Sequence, residues 1–222
     1  MKIVHTVEQA LLEPLFVSLS EALHALDTEQ YRQNCPGTFW FDYRTCEPTN
    51  LVELAICRLR QLADPHKNYS GAEWWLGLRE VNESMSLHFD RDSGLYLDTR
   101  ETVHPDLASI MYFSDVGRPT IVLNHTLAKD GEKAIAVTRG PGELVSPRKN
   151  LFVMFPGDRL HGVLPMGSSV GIGPQLNTRD RRITLLVNWW AVRPRPNMCV
   201  NFTPQNPLTQ ALAVPPNITE RT

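Results

Sequence analysis

No Cys-x-x-Cys pair occurs in the chain. The four cysteines, Cys35, Cys46, Cys57 and Cys199, are scattered through 222 residues, which excludes a zinc knuckle or a dithiol redox motif and indicates reduced thiols. No stretch approaches the roughly 20 apolar residues needed to cross a bilayer, and Met1-Lys2-Ile3-Val4-His5-Thr6 is too polar for a secretory leader. A basic excess is also missing: 22 Lys and Arg stand against 24 Asp and Glu, a formal net charge of -2. Such a balance does not neutralise a phosphate backbone, so neither nucleic acid nor an anionic membrane is the expected partner. The glycines between 167 and 173 are not followed by Gly-Lys-Ser/Thr, which rules out a phosphate loop. There are no internal repeats. Asn68, Asn82, Asn124, Asn201 and Asn217 stand in Asn-x-Ser/Thr sequons; without an export signal these stay unmodified, and a cytoplasmic or other intracellular location is expected.

What is present suits one globular domain over 1–222, with 42% hydrophobic and 21% charged residues. Residues 1–71 read as helical support. Thr6-Val7-Glu8-Gln9 has the pattern of a capping box ahead of Leu12, Leu15, Leu19, Leu23 and Leu26 at helical spacing, although Pro14 would also suit a helix start. Asn50 caps a second helix with Leu51, Leu54, Ala55, Leu59 and Leu62 on its apolar stripe. Between them, 35–48 reads as an irregular aromatic segment. From about Ala72 the period changes to alternation, and 73–78, 84–89, 108–114, 120–124, 134–138, 151–155, 160–164 and 182–190 read as strands separated by turn residues. Strands following helices predict a mainly β fold, a jelly roll over 72–192 with the helices packed outside one sheet. The proline-rich 193–222 is expected to be an extended tail lying partly on the surface.

The chemistry gathers on three of these strands. In an extended strand His88 and Asp90 emerge on one face, with Ser84 and Ser86, while Met85, Leu87 and Phe89 take the other, which would meet the helices. A second imidazole, His161, follows the Pro156-Gly157-Asp158 turn, and Arg182 opens an apolar strand with Thr184 on its own face and Arg181 opposed. Two His and one carboxylate on one side of a metal, with open positions opposite, is the facial arrangement of non-haem Fe(II) oxygenases. Asp90 as third ligand leaves no halide position, favouring hydroxylation. The planar fork of Arg182 suits the far carboxylate of a dicarboxylic cosubstrate.

The order His88-x-Asp90, His161 within Phe-Pro-Gly-Asp-x-x-His-Gly-Val, and Arg182-x-Thr184, together with the strand-turn-strand at 110–124, resembles the Fe(II)/2-oxoglutarate-dependent dioxygenases. That resemblance spans roughly 72–192. It implies a double-stranded β-helix, Fe(II) held by His88, Asp90 and His161, and 2-oxoglutarate anchored by Arg182 and Thr184. It also implies consumption of O2, with release of succinate and CO2 as a substrate is hydroxylated. Tyr112 and Asn188 are candidates for the cavity wall, with core packing as the competing role.

Rival assignments are weaker. His104, beside Pro105, and His125, after a strand end, read as surface histidines, and Asp92 and Asp98 lack the same-face spacing to His88. Trp74-Trp75 and Trp189-Trp190 each send one indole inward, as core packing or as a stacking wall. Asp158 reads as a turn former. The substrate is left open among a small molecule, a peptide and a protein side chain, with selectivity expected in 91–105 and 165–181. Two other function classes fit less of the sequence: a non-catalytic jelly-roll binding module, which would not need the full ligand set, and a cupin-type metalloenzyme without 2-oxoglutarate, which would not need Arg182.

Overall fold

The computed structural model describes residues 2–35, 37–63, 67–128, 134–136, 142–165, 180–216 and 218. The N-terminal part contains β1 (His5–Glu8), α1 (Glu13–Ala25), α2 (Thr28–Asn34), β2 (Thr38–Phe41) and α3 (Leu51–Arg60). Then come β3 (Gly71–Glu80), β4 (Met85–His88), α4 (Ser93–Thr99), β5 (Leu107–Tyr112), β6 (Thr120–Val122), β7 (His125–Leu127), β8 (Ala134–Ala136) and β9 (Glu143–Val145). The chain finishes with β10 (Leu151–Pro156), β11 (His161–Val163), β12 (Arg181–Trp190) and β13 (Cys199–Asn201).

A seven-stranded sheet runs β1-β10-β5-β12-β3-β2-β13, and a four-stranded sheet runs β4-β11-β6-β9, with β7 and β8 as a separate hairpin. The alternation of β12 decides which side faces what. Ile183, Leu185, Val187 and Trp189 join Leu15, Leu19 and Leu23 of α1 and Leu51, Ala55 and Leu59 of α3 in the principal core. Arg182, Thr184 and Asn188 therefore point the other way, into the space between the sheets. That inner space is sealed at one end by a second apolar cluster, Ala108, Ile110 and Tyr112 of β5 and Val153 and Phe155 of β10 against Val122 of β6 and Val145 of β9. A two-layer jelly roll with helices on the outer face of one layer results, as the strand pattern predicts.

Four expectations are corrected. Thr6-Val7-Glu8 forms no capping box; it is strand β1, paired from His5↔Met154 to Glu8↔Leu151 along the edge of β10. Backbone pairing with an open strand edge outweighs a local capping pattern, and Gln9 then breaks the strand at φ 51°. The helix starts at Glu13 with Pro14 in its first turn, the one place a proline costs no hydrogen bond; Leu12 is left outside, 70% exposed. The aromatic segment is partly ordered as β2, whose Phe39 and Trp40 pair with Trp74 and Glu73 of β3. The tail is not merely extended: β13 lies parallel to β2, and Leu208 and Leu212 are buried in the principal core, where the Leu212 carbonyl accepts from the Leu51 amide at the start of α3.

The fourth correction concerns β4. Its outer side chain Leu87 is 49% exposed, because the helices cover the seven-stranded sheet and leave the four-stranded one bare. Asn50 caps α3 as expected, accepting from the Glu53 amide. No disulfide joins the cysteines. Among the described residues no helix is long and apolar enough to cross a membrane. The expected glycine-rich loop at 165–181 lies almost wholly outside the described residues.

Candidate metal centre and the cavity around it

Two short strands bring the imidazoles together. β4 and β11 are antiparallel with His88 directly opposite His161, and their ring centroids are 4.4 Å apart. Gly162 makes the approach possible: a Cβ there would sit 2.7 Å from the Met85 carbonyl oxygen, so a larger residue would push β11 off β4. Asp90, two residues beyond His88, reaches both rings. Its Oδ1 lies 3.7 Å from His88 Nε2 and its Oδ2 lies 3.7 Å from His161 Nε2.

The other nitrogen of each ring fixes its tautomer. His88 Nδ1 is 2.8 Å from the Ser86 carbonyl and His161 Nδ1 is 2.9 Å from the Arg159 carbonyl. A carbonyl only accepts, so each Nδ1 carries a proton, and it is Nε2 of each ring that is turned towards Asp90. His161 is 3% exposed, and burial holds its pKa below the usual histidine value despite the opposing pull of Asp90. Burial thereby favours the neutral ring. The donor atoms of His88, Asp90 and His161 all lie within 4.8 Å of one another, and two imidazoles with one carboxylate suit a divalent transition metal.

His104 is a supporting neighbour and not a rival ligand. Its Nδ1 lies 2.6 Å from the Asp90 backbone carbonyl, while the Asp92 amide donates to the Val103 carbonyl, so the 90–92 backbone is strapped to 103–104. Asp92 caps α4 by accepting from the Leu95 amide and also takes the Arg195 amide; Asp98 pairs with Arg195. Neither faces the centre. His125 stands outside the group. Asp158 accepts from Thr126 and pairs with Arg159, which keeps it in the turn.

At one end of the inner face, Arg182 is 3% exposed. Its Nη2 donates to Thr120 Oγ1 at 2.8 Å and lies 3.4 Å from the Tyr112 hydroxyl, and Tyr112 and Thr120 are themselves 2.7 Å apart. Gly117, at φ 106°, lets the β5–β6 turn close over the arginine stem, where any Cβ would fall within 3 Å of it. Its Nε has no hydrogen-bond partner, and among the described residues no carboxylate pairs with it. Burial lowers its pKa. Supported among the described residues by hydroxyls, such a buried guanidinium can pair two-point with an anion. Thr184 is fully buried beside it, its hydroxyl 3.4 Å from the Gly77 carbonyl. Arg181 points the opposite way, as expected, donating to Leu26 and His24 carbonyls and to Thr28.

The seven-stranded sheet has a second buried charge that the motif reading passed over. Glu73, on β3, is directly paired with Asn188 of β12 and is 8% exposed. It accepts from Thr38 Oγ1 at 2.6 Å and from Trp190 Nε1 at 3.0 Å. Burial pushes its pKa up to about 7, the Thr38 hydrogen bond opposing and the Asp90 charge adding to the rise. Asn188 also hydrogen-bonds to it. An acid in the otherwise apolar Ala72-Glu73-Trp74-Trp75-Leu76 was the available signal, since 73, 75, 77 and 79 share a strand face.

No protein-family model matches the sequence, and no curated protein matches it in sequence. Solved structures do match in shape. A prolyl-4-hydroxylase from Pseudomonas putida superposes with a TM-score of 0.51 at 17% identity, over 86% of this chain and 88% of that one. AviO1 from Streptomyces viridochromogenes Tue57 gives 0.53 at 16% identity, over 87% and 92%. The fold is shared with these two proteins. The shares of this chain covered, 86% and 87%, are wider than the 72–192 span of the motif resemblance.

Proposed function

We propose that this chain is an Fe(II)- and 2-oxoglutarate-dependent dioxygenase that hydroxylates an organic substrate, with release of succinate and CO2. The observation that carries the reading is the pairing of a convergent His88, Asp90 and His161 with a buried guanidinium, Arg182, that has no anionic partner among the described residues. His88, Asp90 and His161 would hold Fe(II), and Arg182 would take the distal carboxylate of 2-oxoglutarate. Tyr112 and Thr120 align the guanidinium, and Thr184 packs at its side. Bound there, iron and 2-oxoglutarate supply the chemistry that places an oxygen atom from O2 into a substrate C–H bond. The chain contributes orientation and exclusion of water: Phe155 packs 5.0 Å from the His161 ring, and the two Nδ1-carbonyl bonds hold both rings for ligation.

A cupin-type metalloenzyme would leave Arg182 without a task, and a binding module would have no need of two imidazoles locked in one tautomer. Substrate class stays open at this level among a small molecule, a peptide and a protein side chain. The test is anaerobic addition of Fe(II) and 2-oxoglutarate, followed by oxygen. A visible charge-transfer band and then succinate are expected, with the band lost in His161→Ala and requiring a far higher 2-oxoglutarate concentration in Arg182→Ala. Absence of the band in the native protein would overturn the reading.

A further inference from the structure

Glu73 and Arg182 lie on the same inner face with opposite charge and complementary deficits. Arg182 lacks an anion, and Glu73 lacks a cation: its partners Thr38, Trp190 and Asn188 are all neutral donors, and among the described residues no Lys, Arg or His pairs with it. The register pairs Glu73 with Asn188, six residues along β12 from Arg182, or roughly 20 Å at about 3.3 Å per residue. The two charges therefore occupy opposite ends of the sheet.

Glu73 opens onto a cavity of about 300 Å³. The cavity exists because β2 begins only at Thr38 and pairs with β3 no further than Phe39↔Trp74, which leaves the edge of β3 open beyond that point. There the Tyr31 hydroxyl accepts from the Leu76 amide in place of a neighbouring strand. Thr38, Trp75, Met198 and Ser93 also line it, and among the described residues of the lining Glu73 is the one charged group. Ser93 begins α4 three residues after Asp90, so the loop leaving the third candidate ligand leads straight to the cavity mouth. The field of Asp90 is felt at Glu73. A volume at the low end of the ligand-pocket range admits a side-chain-sized group, not a whole large ligand.

We infer that this cavity is the substrate subsite of the proposed oxygenase and that it receives a basic nitrogen, an alkylammonium or guanidinium group, on Glu73 beside the Trp75 indole. The inference rests on the oxygenase reading for its role and on the cavity for its chemistry. A further neutral donor would add one more dipole to a carboxylate that already has three. A cation supplies the missing charge in a low-dielectric site, where the pair is strongest, and an indole face favours it again.

The test compares cations with neutral isosteres: L-arginine against L-citrulline, L-lysine against L-norleucine, and Gly-Lys-Gly against Gly-norleucine-Gly. Each is titrated into the protein loaded with Mn(II) and 2-oxoglutarate, followed by calorimetry and tryptophan fluorescence. At least one cation should bind about tenfold or more tightly than its isostere, and Glu73→Gln should bring that ratio to about one. The tripeptide arm separates a peptide source from a free metabolite. If no cation is preferred by the native protein, or if the preference survives Glu73→Gln, the inference is wrong. The native comparison decides even if the Glu73→Gln protein does not fold. The charge-transfer band, measured on the same preparation, reports separately on the oxygenase reading: a band without cation preference sinks the subsite alone.

Discussion

The two sheets of this molecule are built to different standards. In the seven-stranded sheet, β12 is buried along nearly its whole length, with helices on one face and the space between the sheets on the other, and it carries Arg182, Thr184 and Asn188, with Glu73 on the neighbouring β3. In the four-stranded sheet, β4 exposes Ser86 and Leu87 and leaves Met85 and His88 half-buried, yet it supplies His88 and leads into Asp90. The candidate anchors for charged groups thus sit on the well-buried layer, and the candidate metal ligands sit on the thin one. A thin layer depends on what it binds. Without an ion, β4 is held to β11 by few backbone pairs, with a register shift between His161 and Val163.

That contrast can be broken most forcefully by deleting core volume. Trp189→Ala, which empties a fully buried site between sheet and helices, should cost about 3–5 kcal/mol in urea unfolding. Leu87→Ala on the bare face should stay within about 0.5 kcal/mol. Equal losses would mean that the sheets are not differently supported. Next in size is Glu73. Its pKa is raised to about 7 from 4.5, so the folded state binds the extra proton between those values. Its contribution is complete below about pH 4.5 and is lost as pH rises towards 7, about 3 kcal/mol as an upper order of magnitude. Glu73→Gln should flatten that fall in denaturation curves taken across the window.

Metal should act on the thin layer. At a free concentration near 100 times its Kd, Mn(II) should raise stability by about 2.7 kcal/mol, with amide exchange slowed in β4 and β11 and scarcely altered in β3 and β12. Uniform slowing would erase the distinction. The smallest effect is expected from His104→Ala, which removes the hydrogen bond to the Asp90 carbonyl. Fe(II) should bind about tenfold more weakly, with little change in the affinity for 2-oxoglutarate, and a His104→Gln protein that restores a donor should recover part of the loss.

Particular residues show how far local pattern reaches. Each of the eight strands read between 73 and 190 overlaps a strand of the structure, 137–138 lying outside the described residues, because apolar alternation there answers to burial. Thr6-Val7-Glu8-Gln9 shows where it fails: its capping pattern is genuine, but a partner strand about 145 residues away decides the outcome. β13 and the buried Leu208 and Leu212 were illegible for the same reason, being too short or too aperiodic to show their partners. At the site, His88, Asp90, His161, Arg182 and Thr184 were marked by spacing and order. The support given by His104 and the buried charge of Glu73 were not, since each takes its meaning from a neighbour distant in sequence.

Period and spacing determined the β-rich core, the face shared by His88 and Asp90, and the face shared by Arg182 and Thr184, because strand geometry sends alternate side chains to opposite sides wherever the strand lies. Only the tertiary structure decided that His88 stands opposite His161, that the helices cover the sheet without the candidate ligands, and that Glu73 faces a cavity with no cation beside it among the described residues. Those are relations between segments. A sequence sets the faces of each segment, but the packing of one segment on another sets which faces meet.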